Sequence, residues 1–235
     1  MPVLTDQRAT ILQIINEVRR KLGLKPTSSL TQDTHATAAL DYLNDVISDI
    51  ANYGNWQELY VSANTTVSSS VFDYQINTSA VVQNIHELVF QGQVAPMRHK
   101  NLEDILRLNR TGGTGIPRQW SVVGVDVSSA NPRIRIHPQP GTNENNQYFV
   151  AHFYQRPATY TTADGSVIPP FNASLISSGL LAYMLLDESR GTPTNDYLVE
   201  RQNFEKAMEE EYNRYNGDSG TDTYFVPTNR GFRGA

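Results

Sequence analysis

The chain contains no cysteine. That excludes disulfides, thiolate zinc sites, iron-sulfur clusters and cysteine nucleophiles, and it leaves the redox compartment open. Long apolar runs are also missing. The longest, residues 180–186, is far shorter than the roughly 20 residues that a helix needs to cross a bilayer. The opening Met1-Pro2-Val3-Leu4-Thr5-Asp6 has no basic stretch followed by an apolar one, so it does not read as a secretory signal. A net charge of -5 offers no general attraction to nucleic acid or anionic lipid. What remains is 235 residues, 39% hydrophobic and 18% charged. This is a polar but foldable composition, long enough for one large domain or two small ones. A soluble, mildly acidic protein with no membrane contact is expected.

Helical periodicity opens the chain. Between Asp6 and Leu22 the residues Ile11, Ile14, Ile15, Val18 and Leu22 fall at steps of three and four, on one face of an amphipathic helix that Gly23 and Pro26 end. A second helix starts near Thr31 or Asp33, runs through Leu40, Leu43, Val46, Ile47 and Ile50, and stops at Gly54. After Trp56 the helix formers give way to Thr, Ser and Val in short alternating runs. These predict strands at residues 56–67, 71–76, 85–90, 120–127, 133–137 and 147–155, and hence an antiparallel sandwich or barrel of about six strands. Leu102, Ile105, Leu106 and Leu108 interrupt them with a short helix crossing the sheet edge.

Pro169 and Pro170 mark the return to helix, since proline suits a first helical turn. The wide apolar face from Phe171 to Leu186 makes this third helix the most buried. A fourth carries Tyr197, Leu198, Arg201, Phe204, Met208, Tyr212 and Tyr215 at helical spacing and closes at Asn216-Gly217. The predicted class is α+β: helix pairs in residues 1–55 and 166–217 form one four-helix layer, and a β domain at 56–165 projects from it. Residues 218–235 show no periodicity and read as an extended, disordered tail.

Chemistry is sparse. No two of His35, His86, His99, His137 and His152 stand at the i, i+4 spacing of a metalloprotease helix. His137 and His152 could face each other on neighbouring strands, but ordinary strand histidines are the better reading. Gly112-Gly113-Thr114-Gly115 lacks the Lys-Ser or Lys-Thr of a phosphate loop, and no G-x-S-x-G pentapeptide supplies a strained nucleophile. Asp187-Glu188 and Glu209-Glu210-Glu211 read as solvated helix surface. No enzyme activity and no cofactor or metal is expected. Charge distribution is more informative: seven Lys and Arg stand against three acids over residues 97–135, and eight acids against four bases over 187–217. Opposite signs on separate regions suit head-to-tail association of identical subunits. The tail ends Arg230-Gly231-Phe232-Arg233-Gly234, a single copy of an Arg-Gly pattern.

Several short motifs follow in a telling order. They are the helix pair ending near Trp56, Gly115-Ile116-Pro117 before Trp120, Ile136-His137-Pro138-Gln139-Pro140, the strand Tyr148-Phe149-Val150-Ala151-His152-Phe153-Tyr154 closed by Arg156-Pro157, and Ile168-Pro169-Pro170. Over residues 1–217 this order resembles the head-to-tail adaptor proteins of short-tailed bacteriophages, the group that includes tail tubular protein A. The resemblance implies a structural virion protein at the neck, assembled in the host cytoplasm into a ring, twelve-fold in such adaptors. The ring sits under the portal protein, extends the DNA channel, and meets the tail nozzle protein and a tail fibre or spike. Two site expectations accompany it. Tyr224, Phe225, Arg230, Phe232 and Arg233 dock on the portal. Some of Glu205, Glu209, Glu210 and Glu211 face the channel, where their charge keeps passing DNA from sticking. The rival reading is a tail-associated carbohydrate- or fibre-binding module that uses the tyrosines and Trp120 as an aromatic platform.

Overall fold

The computed structural model describes residues 8–110, 112–126 and 130–216. Helix α1 spans Ile11–Lys21 and α2 spans Thr34–Tyr53. The first begins at Ile11, the first residue of the apolar face, where Thr10 and Gln13 form a capping box. The Gln13 amide donates to the Thr10 hydroxyl at 3.3 Å, and the Thr10 amide donates to Gln13 Oε1 at 2.9 Å. Asp33 caps α2, accepting from the Ala36 amide at 2.7 Å. Its carboxylate also receives both Arg19 Nη atoms, at 3.0 and 2.8 Å, while Arg19 Nε donates to the Lys25 carbonyl. The hydrogen bonds from Arg19, and then from Ala36, hold the Asp33 carboxyl below the usual carboxylate range. A buried guanidinium thus ties the end of α1 to the start of α2.

The remaining helices are α3, Leu102–Arg110; α4, Ala173–Glu188; and α5, Asn195–Asn216. Pro169 and Pro170 lie ahead of α4 rather than in its first turn, because Asn172 supplies the cap by accepting from the Ser174 amide at 3.0 Å. Residues of α1, α2, α4 and α5 share one hydrophobic cluster, with α4 in contact with each of the other three. Its small Gly179 lets α2 and α5 close in: a Cβ there would lie 2.7 Å from Val46 Cγ1 and 2.8 Å from the Phe204 ring.

Seven strands appear among the described residues: β1 Tyr60–Thr66, β2 Asp73–Gln75, β3 Val82–Phe90, β4 Arg98–His99, β5 Gln119–Val125, β6 Pro132–His137 and β7 Tyr148–Gln155. They form two sheets, ordered β1-β7-β3 and β2-β6-β5-β4, and neither closes into a barrel. All pairings are antiparallel except β4 with β5. Buried side chains from both sheets make a second cluster, including Phe90, Phe149 and Phe153 from the first sheet and Tyr74, Trp120, Ile134 and Ile136 from the second. The chain enters β1 later than expected. Trp56 is buried in the helical cluster, and a single 3-10 turn at Gln57–Leu59 intervenes. Two-residue β4 has no readable alternation. Helix α3 packs on β5 and β6 rather than crossing a sheet edge. A bulge between Val122 and Gly124 in β5 places Gly124 at φ +157, a conformation that glycine accepts without strain.

Candidate interaction surfaces

Four of the acids expected to act together lie on α5, and the helix spreads them around its circumference. Arg201, Phe204, Met208 and Tyr212 turn toward the helical cluster, so Glu205 and Glu209 flank that face and Glu210 points away from it. Glu211 departs from the expected solvated surface: its side chain is only 13% exposed and is paired with Arg214 at 2.9 Å. Glu205 is paired with Arg201 at 2.9 Å, and Glu210 with Lys206 at 3.7 Å. Three of the six acids of α5 are therefore paired with bases about one turn away, and Asp196, Glu205, Glu209 and Glu210 are its exposed acids.

Arg201 also belongs to a polar joint between helices. Its Nη1 lies 3.7 Å from Asp49 Oδ2, which accepts from the Tyr183 hydroxyl at 2.7 Å. Burial, and then the Asp49 carboxylate, push the Tyr183 phenol up to about 12. Because the folded value lies above the unfolded one, this contribution is complete below pH 10 and lost as pH rises through about 12. A Tyr183→Phe variant should lack the highest-pH step in a tyrosinate absorbance titration, and retention of that step would contradict the assignment.

Basic side chains gather on the β4-β5-β6 side of the second sheet and on α3. Arg98, Lys100, Arg107, Arg110, Arg118 and Arg133 are exposed, whereas Arg135 is turned inward in a forked pair with Asp73 and lies over the Phe72 ring. The positive region seen in the sequence thus survives as a surface, reduced by one charge.

Beneath α3, His137 Nδ1 lies 2.7 Å from Asn109 Oδ1, and His99 packs edge-on against Trp120 with ring centroids 4.6 Å apart. Burial lowers the pKa of both imidazoles. The folded chain therefore takes up these protons at lower pH than the unfolded one, so stability is complete above pH 6.5 and falls as pH drops below it, with half-buried His137 contributing more than exposed His99. A His99→Gln/His137→Asn variant should show a flatter melting temperature between pH 7 and 5 than the parent; parallel curves would contradict this.

His137 and His152 do not meet, since they lie on strands of different sheets. Among the described residues, no group of three or more His, Asp or Glu side chains is arranged to hold a metal ion. His152 instead joins an aromatic face on the first sheet. Its ring stacks on Tyr60 at 5.9 Å with 6° between planes, and its Nδ1 lies 2.7 Å from Ser62 Oγ. Tyr154 and His86 meet Tyr60 edge-on at 5.4 and 6.0 Å. Alternation along β7 could have placed His152 and Tyr154 on one side, but their partners on β1 come only from the register Ser62↔His152 and Tyr60↔Tyr154. Trp120 cannot belong to an aromatic platform, because it is 5% exposed and donates through Nε1 to the Met97 carbonyl. Of the strand tyrosines, only Tyr74 is in the buried core; Tyr60, Tyr148 and Tyr154 face outward or stand half-buried.

Tyr224, Phe225, Arg230, Phe232 and Arg233, expected to bind a portal, lie outside the described residues, as does the whole predicted tail. Among the described residues, no helix is long and apolar enough to cross a membrane. A search of curated proteins finds no match to the chain. The family model of the SU10 adaptor protein matches residues 9–231, all but a few residues at each end. The chain belongs to this adaptor family, and with it to the structural head-to-tail adaptors of phage virions.

Proposed function

We propose that this adaptor assembles as a ring, a dodecamer, directly below the portal at the virion neck. There it extends the DNA channel and connects the portal to the tail nozzle and fibres. The observation that carries the reading is the family match across residues 9–231. The fold is consistent with that division of labour. Helices α1, α2 and α5 close on α4 to act as a rigid layer, drawn from residues 1–55 and 166–217. The two sheets act as a sandwich-like unit over 56–165 that projects toward peripheral partners. The exposed part of the acidic α5, Glu205, Glu209 and Glu210, faces passing DNA, and the tail residues Tyr224, Phe225, Arg230, Phe232 and Arg233 dock on the portal. Assembly takes place in the host cytoplasm, and the protein acts without catalysis or cofactor.

The reading is tested by mixing the purified protein with the portal of the same phage and imaging the complex by electron microscopy. An added ring beneath the portal is expected; two intact components that do not associate would overturn the proposal. Electrostatics between copies supplies a second expectation, because exposed cations on α3 and β4 and exposed acids on α5 sit in separate parts of the subunit. Arg107, 81% exposed, and Arg118 are suitable probes. An Arg107→Glu/Arg118→Glu variant should assemble less at low salt, and 0.5 M salt should narrow its difference from the parent as screening shortens below about 10 Å. Equal assembly at low salt would remove charge pairing from the subunit contact.

A further inference from the structure

Among the described α-helices, α3 alone stays outside both hydrophobic clusters. Its one buried side chain, Ile105, belongs to neither, whereas α1, α2, α4 and α5 all contribute to the first. Beneath α3 lies the outer face of the second sheet. Side chains alternate along a strand, so with Trp120, Ile134 and Ile136 turned into the core, the opposite face of β5 and β6 carries Gln119, Ser121, Arg135 and His137. All four are polar. The register sets Gln119 beside His137 and Ser121 beside Arg135, so the helix rests on a polar strip.

Helix and strip do not satisfy each other fully. Asn109 Oδ1 lies 2.7 Å from His137 Nδ1, but Asn109 Nδ2 has no hydrogen-bond partner, and neither has Gln119 Oε1. Both of these atoms are buried. A buried donor or acceptor left unpaired has lost its hydration, and it regains it when water returns. Docking of α3 therefore sets the burial of Ile105 and the Asn109–His137 contact against two orphaned polar groups.

The flanks of α3 are tied down without it. On one side the Lys100 amide donates to the Trp120 carbonyl at 2.9 Å. On the other, the Gln139 amide donates to the Gly113 carbonyl at 3.2 Å, and the Gly115 amide donates to the Gln139 carbonyl at 2.9 Å. Between these ties Gly112 stands at φ +73 with open space where a Cβ would be, so the chain can turn there without collision. We propose that α3 is a strap that lifts from the β5-β6 face between its two ties while both sheets stay folded, and that the orphaned groups of Asn109 and Gln119 set how readily it lifts. Lifting opens Gln119, Ser121 and His137 to water. It also carries Arg107 and Arg110 away from Arg98 and Arg118 on the sheet, so the basic surface has two arrangements. Strap opening requires neither a ring nor a portal.

Because the chain has no cysteine, a single introduced thiol reports the opening. Ile105→Cys on α3 is compared with Ile134→Cys on β6, both at fully buried positions, by the rate of reaction with an aromatic disulfide reagent. Ile105→Cys should react about a hundredfold faster, at a rate that stays level as urea is added below the unfolding transition, because a local opening exposes little surface. Equal rates, or rates that rise together with urea, would mean that α3 opens only when the sheets unfold and would overturn the proposal. Adding Gln119→Met, which removes the orphaned acceptor and keeps the side-chain length, should slow Ile105→Cys labelling about fivefold and leave Ile134→Cys labelling unchanged. No slowing would overturn the role of the orphaned groups. Amide exchange in the unsubstituted chain guards against loosening by the cysteine itself. A free helix of nine residues is marginal in water, so a lifted α3 also loses amide protection. Leu106 and Asn109 amides should therefore exchange faster than those of Ile134 and Ile136, and equal protection would overturn the strap.

Discussion

Replacing Phe204 with alanine is expected to cost about 3–5 kcal/mol of folding stability, the usual cost of emptying a buried aromatic site. Phe204 is fully buried on α5, and its ring fills the space that Gly179 of α4 leaves open. For a chain of this length the loss corresponds to a melting temperature roughly 6–20 °C lower. The converse change, Gly179→Ala, is expected to cost about 1–3 kcal/mol, because the added methyl meets Val46 on one side and Phe204 on the other, and both are buried. The two sites share one volume, so their effects should not add. Phe204→Leu combined with Gly179→Ala should be more stable than the sum of the single changes implies. Denaturant melts of the three variants check this; strict additivity would mean that α4 and α5 do not contact through this pair. Helix α4 is the element that the rest of the helical unit closes upon, so these variants should lose the tertiary signal of the whole unit and not of α5 alone.

Much of that helical unit is written in its spacing. Ile11, Ile14, Ile15 and Val18, and likewise Leu40, Leu43, Val46, Ile47 and Ile50, are all buried where a 3.6-residue period puts them. What spacing cannot provide is the identity of distant partners. Arg19 sits on the buried side of α1 although its charge argues for solvent, and only the approach of Asp33 and the Lys25 carbonyl makes that position tolerable. In the β region the strands of five or more residues were legible from alternation, whereas β4 was not, because two residues hold no period. Trp56 reads as the start of a strand when judged by its neighbours, yet its large ring is claimed by the helical cluster. The same limitation explains the candidate surfaces. Glu209, Glu210 and Glu211 are adjacent in sequence, but a helix turns them about 100° apart, so Glu211 ends against the core while Glu210 faces outward. Trp120 is chemically suited to a sugar platform and is covered, while Tyr60, Tyr154 and His152 come together only through strand register.

The charge surfaces show what such turning means for assembly. A run of acids along α5 contributes less field than its count suggests when Arg201, Lys206 and Arg214 answer three of them on the same helix. Ion pairs of this kind, exposed or partly so, add little to stability, but in the proposed ring they would lower the repulsion between closely spaced copies of α5. The basic side is compensated less: Arg107 has an Asp104 neighbour at 3.6 Å and is still 81% exposed. A partner with negative surface would therefore meet the α3 side more readily than a positive partner would meet α5.

Trp56→Ala is expected to match Phe204→Ala in size, at about 3–5 kcal/mol, and to differ from it in where the damage appears. Trp56 is 2% exposed, donates through Nε1 to the Ile50 carbonyl at 2.6 Å, and packs edge-on against Phe171 and Tyr212 at 5.5 and 5.4 Å. It therefore holds three things at one point: the end of α2, the lead into α4, and the last turn of α5. Part of the cost comes from leaving the Ile50 carbonyl without its indole partner. Trp56→Phe keeps most of the apolar volume and loses that donor, so it should recover most, but not all, of the stability. Local exchange separates the two core variants. With Trp56→Ala the amides of the last turn of α5 should open well before those of α4. With Phe204→Ala the two helices should open together, since Phe204 lies between them. If the end of α5 stays as protected as α4 in Trp56→Ala, then Tyr212 is held by Tyr53 and the Gly54 backbone without the indole, and the joint between the helices and β1 does not depend on Trp56.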